Sequence, residues 1–260
     1  FSEPTLVVTL DGYGDGEAGS IWIGENNTMT EISTIAFPDS LGQLWASITE
    51  YLGFKPTVHE GQVMGFAAYG APRDSAEEKR VMRLRSFMDE YIQLLDGTIR
   101  VNAEFLYFGE FSEGRSRITD CMMERLASIV PLSKKKSQHI DPDYDRGLAN
   151  LAYVLQEKTD EVVLGLLHYY LKQHPQTKGL TRVAYAGGVA LNVITNGRII
   201  KSGLVEGDNF FVPPTPADDG TALGAAMLTY EEFYGINPQC KMIRASYGIE
   251  YSDEEIKATL

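Results

Sequence analysis

The chain has 260 residues, 43% hydrophobic and 23% charged, enough for one large or two small globular domains with an ample core. Its net charge of −13, from 36 acidic and 23 basic residues, argues against a nucleic-acid binder, whose affinity rests on lysine and arginine at phosphates. No apolar run reaches the roughly 18 residues that read as a membrane span, and the chain opens without a signal-peptide pattern. Two cysteines, Cys121 and Cys240, make no disulfide framework and suit a reducing compartment, so a cytoplasmic protein without a membrane partner is expected. The one basic run, Lys134-Lys135-Lys136, reads as a solvated loop.

The segment Leu6–Gly24, "LVVTLDGYGDGEAGSIWIG", places Gly14, Gly16 and Gly19 in a G-x-G-x-x-G pattern after an apolar strand. In a dinucleotide-binding fold a helix would follow. Here "SIWIG" and "ENNTMTEISTIAF" follow instead, rich in β-branched residues, with a hairpin turn at Asn26-Asn27. Residues 5–37 therefore predict three strands joined by tight turns, and hydride transfer is excluded. Leu41, Leu44, Trp45, Ile48 and Leu52 recur at helical spacing, and "HEGQVMGFAAYG" predicts a second, small-residue helix. Residues 72–147 change character: a charged helix through "SAEEKRVMRLRSFMDEYIQLL", a strand pair around "GTIRVNAEFLYF", a helix near Met122–Val130 and a polar connector. They read as an insertion or cap. A long helix is predicted near Tyr144–Gln173, then a strand ending at Gly187-Gly188, a helix "VITNGRIIKSG", a strand "DNFFVPPTP" and a last core helix from Asp218-Asp219. Ser252 opens a further helix. Three antiparallel strands followed by two helix-covered strands is the order of a ribonuclease-H-like α/β unit. Its core would comprise 1–71 and 148–235, with 236–260 starting a linker.

Three glycine-rich corners fall at predicted strand ends: Asp11–Gly16, Gly187–Asn192 and Asp218–Gly220. Ligands of open α/β sheets gather at that edge, and glycines let backbone N–H groups approach an anion. Together the corners point to a nucleotide. Asp11, Asp218 and Asp219 would repel phosphate unless a divalent cation lay between, as in oxygen-rich magnesium or manganese sites. Equally, Asp218 or Asp219 could simply cap the last helix. "GGVALN" could serve helix–sheet packing alone, and Glu60 either caps its helix or accepts from a ribose hydroxyl. Asp15 and Glu17 read as turn residues. His59, His139, His168 and His174 form no i, i+4 pair, and no Ser–His–Asp or Cys–His arrangement is present.

Four motifs in this order, "VVTLDGYGDGEAG", "HEGQVMGFAAYG", "AYAGGVALNVITNGRI" and "PPTPADDGTALGAA", resemble the O-carbamoyltransferases, the family of nodulation-factor, tobramycin and cephalosporin-type enzymes. The resemblance spans the whole chain and is weakest over 72–147. It implies the actin/Hsp70/sugar-kinase (ASKHA) fold, shared with the threonylcarbamoyladenosine synthases, in which two ribonuclease-H-like halves flank a nucleotide cleft. It implies that Asp11 and Asp218, with Asp219 as second choice, hold a metal (iron, manganese or magnesium). Gly12, Gly14, Gly187, Gly188 and Gly220 match phosphate loops, and Asn192 and Glu60 match positions near the nucleotide. The implied chemistry takes carbamoyl phosphate and ATP to carbamoyl-adenylate in a separate C-terminal domain. The carbamoyl group then passes to a small-molecule acceptor hydroxyl. The family's H-x-x-x-H metal pair precedes the position of Asp11 by more residues than this chain holds there, and no adenylate-forming domain follows. The chain is thus expected to be the second half of the actin-like domain, inactive alone. A threonylcarbamoyl transferase, a sugar-type kinase and a non-catalytic nucleotide-binding module are the alternatives.

Overall fold

Buried apolar residues of the central strands build the middle of the sheet. The computed structural model describes residues 3–107, 116–132, 145–236 and 248–260. His139, Cys240, Lys134–Lys136 and the expected helix start at Tyr144 lie outside them. Strand β1 (Thr5–Gly14) buries Leu6, Val8 and Leu10 on one face. It turns through Asp15 and Gly16, both at positive φ, into antiparallel β2 (Glu17–Glu25). Asn26 and Asn27, also at positive φ, close the hairpin to β3 (Thr28–Ala36).

Helices α1 (Leu41–Tyr51) and α2 (Glu60–Ala67) follow, then α3 (Ser75–Tyr91). The charged helix ends at Tyr91, four residues short of the expected Leu95, because Ile92 turns extended. Residues Ile92–Leu95 form β4, paired with β5 (Thr98–Val101) across Asp96-Gly97 at φ 50° and 74°. An Asp-Gly turn is a strong hairpin signal, and here it overrides the helical propensity of the preceding residues. Helix α4 (Asp120–Ala127) leads to the long α5 (Arg146–His168) and a π-turn over Tyr169–Gln173.

Strand β6 (Arg182–Ala186) then enters the sheet parallel to β1, with Thr9 opposite Ala186. Helix α6 (Val193–Lys201) returns to β7, only Phe210–Phe211, again parallel. The expected longer strand is cut short by Pro213-Pro214, which cannot donate to a ladder. The sheet order is β3-β2-β1-β6-β7, and β2 alone runs against the others. Helix α7 (Asp219–Tyr234) stops at Gly235 and α8 (Asp253–Thr259) carries a capping box at Ser252. No helix among the described residues is long and apolar enough to cross a membrane.

Val81, Leu84, Phe87, Tyr91 and Phe105, all from residues 72–147, are buried in one cluster with the sheet's Leu6 and Val8. Trp45 of α1 donates to the Thr159 hydroxyl of α5 at 2.8 Å, tying the first helix to the longest. The start of α5 is locked to α3 by a fork: Arg146 Nε and Nη2 donate to the two Glu77 carboxylate oxygens at 2.8 and 2.7 Å. The Arg73 N–H adds a third contact at 2.9 Å, and Arg146 also donates to the Ala71 carbonyl at 2.8 Å. The Arg146 hydrogen bonds, acting against burial, bring the Glu77 pKa from 4.5 to about 2. A lowered folded pKa means that this contribution to stability is complete above pH 4.5 and is lost as the pH falls from there towards about 2. Glu77→Gln should flatten that acid slope and cost about 2–3 kcal/mol at neutral pH, because a half-buried guanidinium loses its counter-charge. Urea unfolding of both proteins at several pH values measures both effects, and an unchanged slope would place the acid sensitivity elsewhere.

Candidate functional site

The ladder between β1 and β2 breaks after Leu10 and resumes only at Gly14. Asp11, Gly12 and Tyr13 thus bulge out of that ladder within β1, and their backbone groups need other partners. The hydroxyl of Ser40, fully buried at the N-cap of α1, lies 2.8 Å from both the Asp11 and Gly12 carbonyls and donates to this pair. It also accepts the Gln43 N–H at 3.0 Å, so one side chain caps the helix and fixes the corner. Gln43 Nε2 reaches the Gly12 carbonyl at 3.4 Å. A side chain at Gly42 would come within 2.5 Å of the Gly12 nitrogen, which explains the glycine in the first turn of α1.

The Asp11 carboxylate joins this corner to the end of β6. Its Oδ1 accepts the Gly12 N–H at 2.8 Å and the Gly188 N–H at 3.1 Å. A methyl group at Gly188 would stand 2.7 Å from that oxygen. The two amides expected to cradle phosphate therefore orient Asp11 in this structure, and Oδ2 is left for a further partner.

The second corner is held from beneath by α5. Asn192 is the N-cap of α6: its Oδ1 accepts the Thr195 N–H at 3.1 Å, and its Nδ2 donates to Gln156 at 2.9 Å. Gln156 and Thr195 both donate to Asp160 Oδ1, at 3.0 and 2.7 Å, and Arg198 pairs with Oδ2 at 2.5 Å. Burial pushes the Asp160 pKa up, and the Thr195 hydroxyl and Arg198 pull it back. The side-chain amide of Asn192 is thus a structural element of its corner.

A cleft of about 720 Å³ opens at this edge of the sheet. Asp11, Gly12, Glu60, Gly188, Asn192, Asp218 and Asp219 all line it. Gly14, Gly187 and Gly220 line a neighbouring cavity of about 440 Å³, and Asp11 and Asp218 border both. Asp218 occupies the N-cap position of α7, but its side chain makes no capping hydrogen bond. Glu60 opens α2 and accepts the Thr57 N–H at 2.6 Å, bracing the preceding turn. Of the described histidines, His59, His168 and His174, none lines the cleft.

No trio of His, Cys, Asp or Glu comes together for a metal among the described residues. Asp11 and Asp218 are hard oxygen donors, but two carboxylates are fewer ligands than an octahedral cation takes. These residues alone do not make a metal site. Sequence reading missed Ser40, Gln43, Gly42 and Arg117, although Ser40-x-x-Gln43 is a capping-box pattern that could have located the first two. Arg117, which lines the cleft and donates to Gln43 Oε1 at 3.1 Å, carried no local signal.

Compared with known proteins, residues 1–227 match the family described as Carbamoyltransferase N-terminus. The chain belongs to that family. Nodulation protein NolNO of Sinorhizobium fredii is 28% identical over 260 residues, covering 99% of this chain and 33% of that protein. Nodulation protein NolO of Bradyrhizobium diazoefficiens is 28% identical over 254 residues, covering 97% and 40%. An uncharacterized protein of Synechocystis sp. is 29% identical over 265 residues, covering 99% and 39%. The chain therefore spans 33–40% of the length of these relatives.

In this carbamoyltransferase N-terminus, Ser40 carries the first corner and the first turn of α1 together. Ser40→Ala should cost about 1–2 kcal/mol, the upper part of the range for a lost N-cap, since two carbonyls also lose their donor. Denaturant unfolding measures it, and a loss below about 0.5 kcal/mol would show that water replaces the hydroxyl.

Proposed function

We propose that the chain forms one wall of the nucleotide cleft of an ATP- and metal-dependent O-carbamoyltransferase, a longer enzyme of which it is a part. The observation that carries this reading is the meeting of Asp11, Gly12, Gly188 and Asp218 at one cleft, on the carboxyl edge of adjacent parallel strands. The strand order, with β2 alone reversed, supports a ribonuclease-H-like unit of the actin/Hsp70/sugar-kinase fold. Helix α7 supports a larger assembly. Its apolar residues are spread around its circumference, yet none of its residues is buried, with Leu228 70% and Phe233 79% exposed. In this reading further parts of the protein cover it and contribute the other, N-terminal half of the fold and the adenylate-forming domain.

In the transfer step the acceptor oxygen attacks the carbonyl carbon of carbamoyl-adenylate. The new C–O bond forms as the bond from the carbonyl carbon to the phosphate oxygen breaks, AMP leaves as an anion, and the acceptor hydroxyl gives its proton to solvent. This chain's part is to hold the donor against the sheet edge, with Asp11 fixed by two amides before any ligand arrives. Such preorganisation avoids reorientation during reaction. Iron, manganese or magnesium would supply positive charge between the carboxylates and the phosphate, with Asp11 and Asp218 as two of its ligands and the others from outside the described residues.

The test is a calorimetric titration of the chain with ATP, with and without Mn²⁺, beside Asp11→Asn, which keeps an acceptor oxygen for the amides and removes the charge. Metal-dependent binding weakened at least about tenfold by the substitution is expected, the loss of one charge-assisted contact. Binding that ignores the substitution would move the site away from Asp11. Nucleotide binding without carbamoyl transfer, in a protein extended to the length of its relatives, would favour a non-catalytic nucleotide-binding module.

A further inference from the structure

The cleft presents a charge problem. Asp11, Glu60, Asp218 and Asp219 line it, and Arg117 is the sole lysine or arginine among its described lining residues. The Gly12 and Gly188 amides, the obvious anion donors, are engaged by Asp11 Oδ1. An anion entering here needs another donor, and the guanidinium is the group in place. We propose that Arg117 holds the nucleotide's phosphate, so that the anion contact comes from the inserted segment and not from the glycine corners. This inference rests on the nucleotide reading given above.

Arg117 is delivered by a firm attachment. Its backbone N–H donates to Glu50 Oε2 on α1 at 3.0 Å, and its carbonyl accepts the Tyr107 N–H at 3.1 Å. The next residue, Ile118, forms a bridge with Leu106. Arg117 Nη1 donates to Gln43 Oε1 at 3.1 Å, and Gln43 in turn reaches the Gly12 carbonyl at 3.4 Å. A guanidinium presents a rigid fork of N–H donors, so it can serve Gln43 and a phosphate oxygen in one geometry. Trp45, Val58 and Met64 give the same cleft the apolar surface that a base requires.

The experiment titrates AMP and adenosine separately into the chain, as wild type, Arg117→Met and Arg117→Lys, with thermal melts confirming that each is folded. The wild type should bind AMP more tightly than adenosine. Arg117→Met should weaken AMP by about tenfold to a hundredfold and leave adenosine unchanged, the loss of a charge-assisted bidentate contact. Arg117→Lys, which keeps the charge and loses the fork, should fall between. Equal loss of both ligands in Arg117→Met would overturn the proposal, because Arg117 would then act through Gln43 on the corner. An AMP preference that survives in Arg117→Met, or is absent from the wild type, would also overturn it and leave the nucleotide reading intact. A wild type that binds neither ligand would overturn that reading, and this inference with it.

Discussion

One carboxylate oxygen organises the edge of this sheet. Asp11 Oδ1 accepts amides from Gly12, on its own strand's exit, and from Gly188, on the exit of the neighbouring parallel strand. Two strands 177 positions apart in the chain are thereby joined beyond the last pair of their ladder, Thr9 and Ala186. The requirement arises from the break after Leu10: residues without a ladder partner carry donors and acceptors that must be met elsewhere. Amides go to Asp11 and carbonyls to Ser40. Because the hydroxyl of Ser40 also caps α1, the helix cannot shift without moving the corner. The close approach that this demands leaves no room for a side chain at Gly42 or Gly188.

The second corner has an independent support. Asn192 is bound to Gln156, and through Gln156 and Thr195 to the buried Asp160 of α5. A buried carboxylate is costly unless its oxygens are met, and Asp160 has two hydrogen-bond donors and a guanidinium. Helix α5 therefore sets the height of the Gly187–Asn192 turn while Asp11 sets its lateral position. Trp45, bonded to Thr159 of the same helix, carries the constraint on to α1. Both corners are referred to one rigid element, and the cleft between them inherits its shape from α5.

The elements were mostly legible because their signals are local. An apolar run, β-branched and aromatic residues, and tight turns at the glycines and Asn26-Asn27 marked β1 to β3, and the strand after Gly19 excluded the dinucleotide fold. Failures came where two local signals competed. Helical propensity ran through Ile92–Leu95 until the Asp96-Gly97 turn claimed them, and two prolines shortened the strand at Phe210. The site was legible in part. Asp11, Gly188 and Asp218 could be named because glycine and aspartate at strand ends are an unusual combination. What they do there could not be read. The amides of Gly12 and Gly188 turn towards Asp11 because of a contact between distant segments, which no spacing encodes. Arg117 was invisible for the same reason, since only the bridge between Leu106 and Ile118 carries it to the cleft.

The sheet edge and residues 72–147 bring opposite charges to the cleft. In the phosphate loops that the glycines resemble, backbone amides meet the anion directly. Here the same amides hold a carboxylate, and a carboxylate repels the anion that the loop would otherwise attract. The edge is thus electrostatically unsuited to bind phosphate by itself and suited to present a negative oxygen to a cation. At about 4 Å, one charge pair in a partly buried site is worth about 4 kcal/mol, so the unfavourable sign cannot be ignored. Under the proposed function, a compensating positive charge comes from a bound cation, from Arg117, or from both. Residues 72–147 contribute Arg117 to the lining of this cleft. With the Arg117 backbone held to α1 through Glu50 and its guanidinium bonded to Gln43, the cleft that Asp11 lines also carries a fixed positive charge.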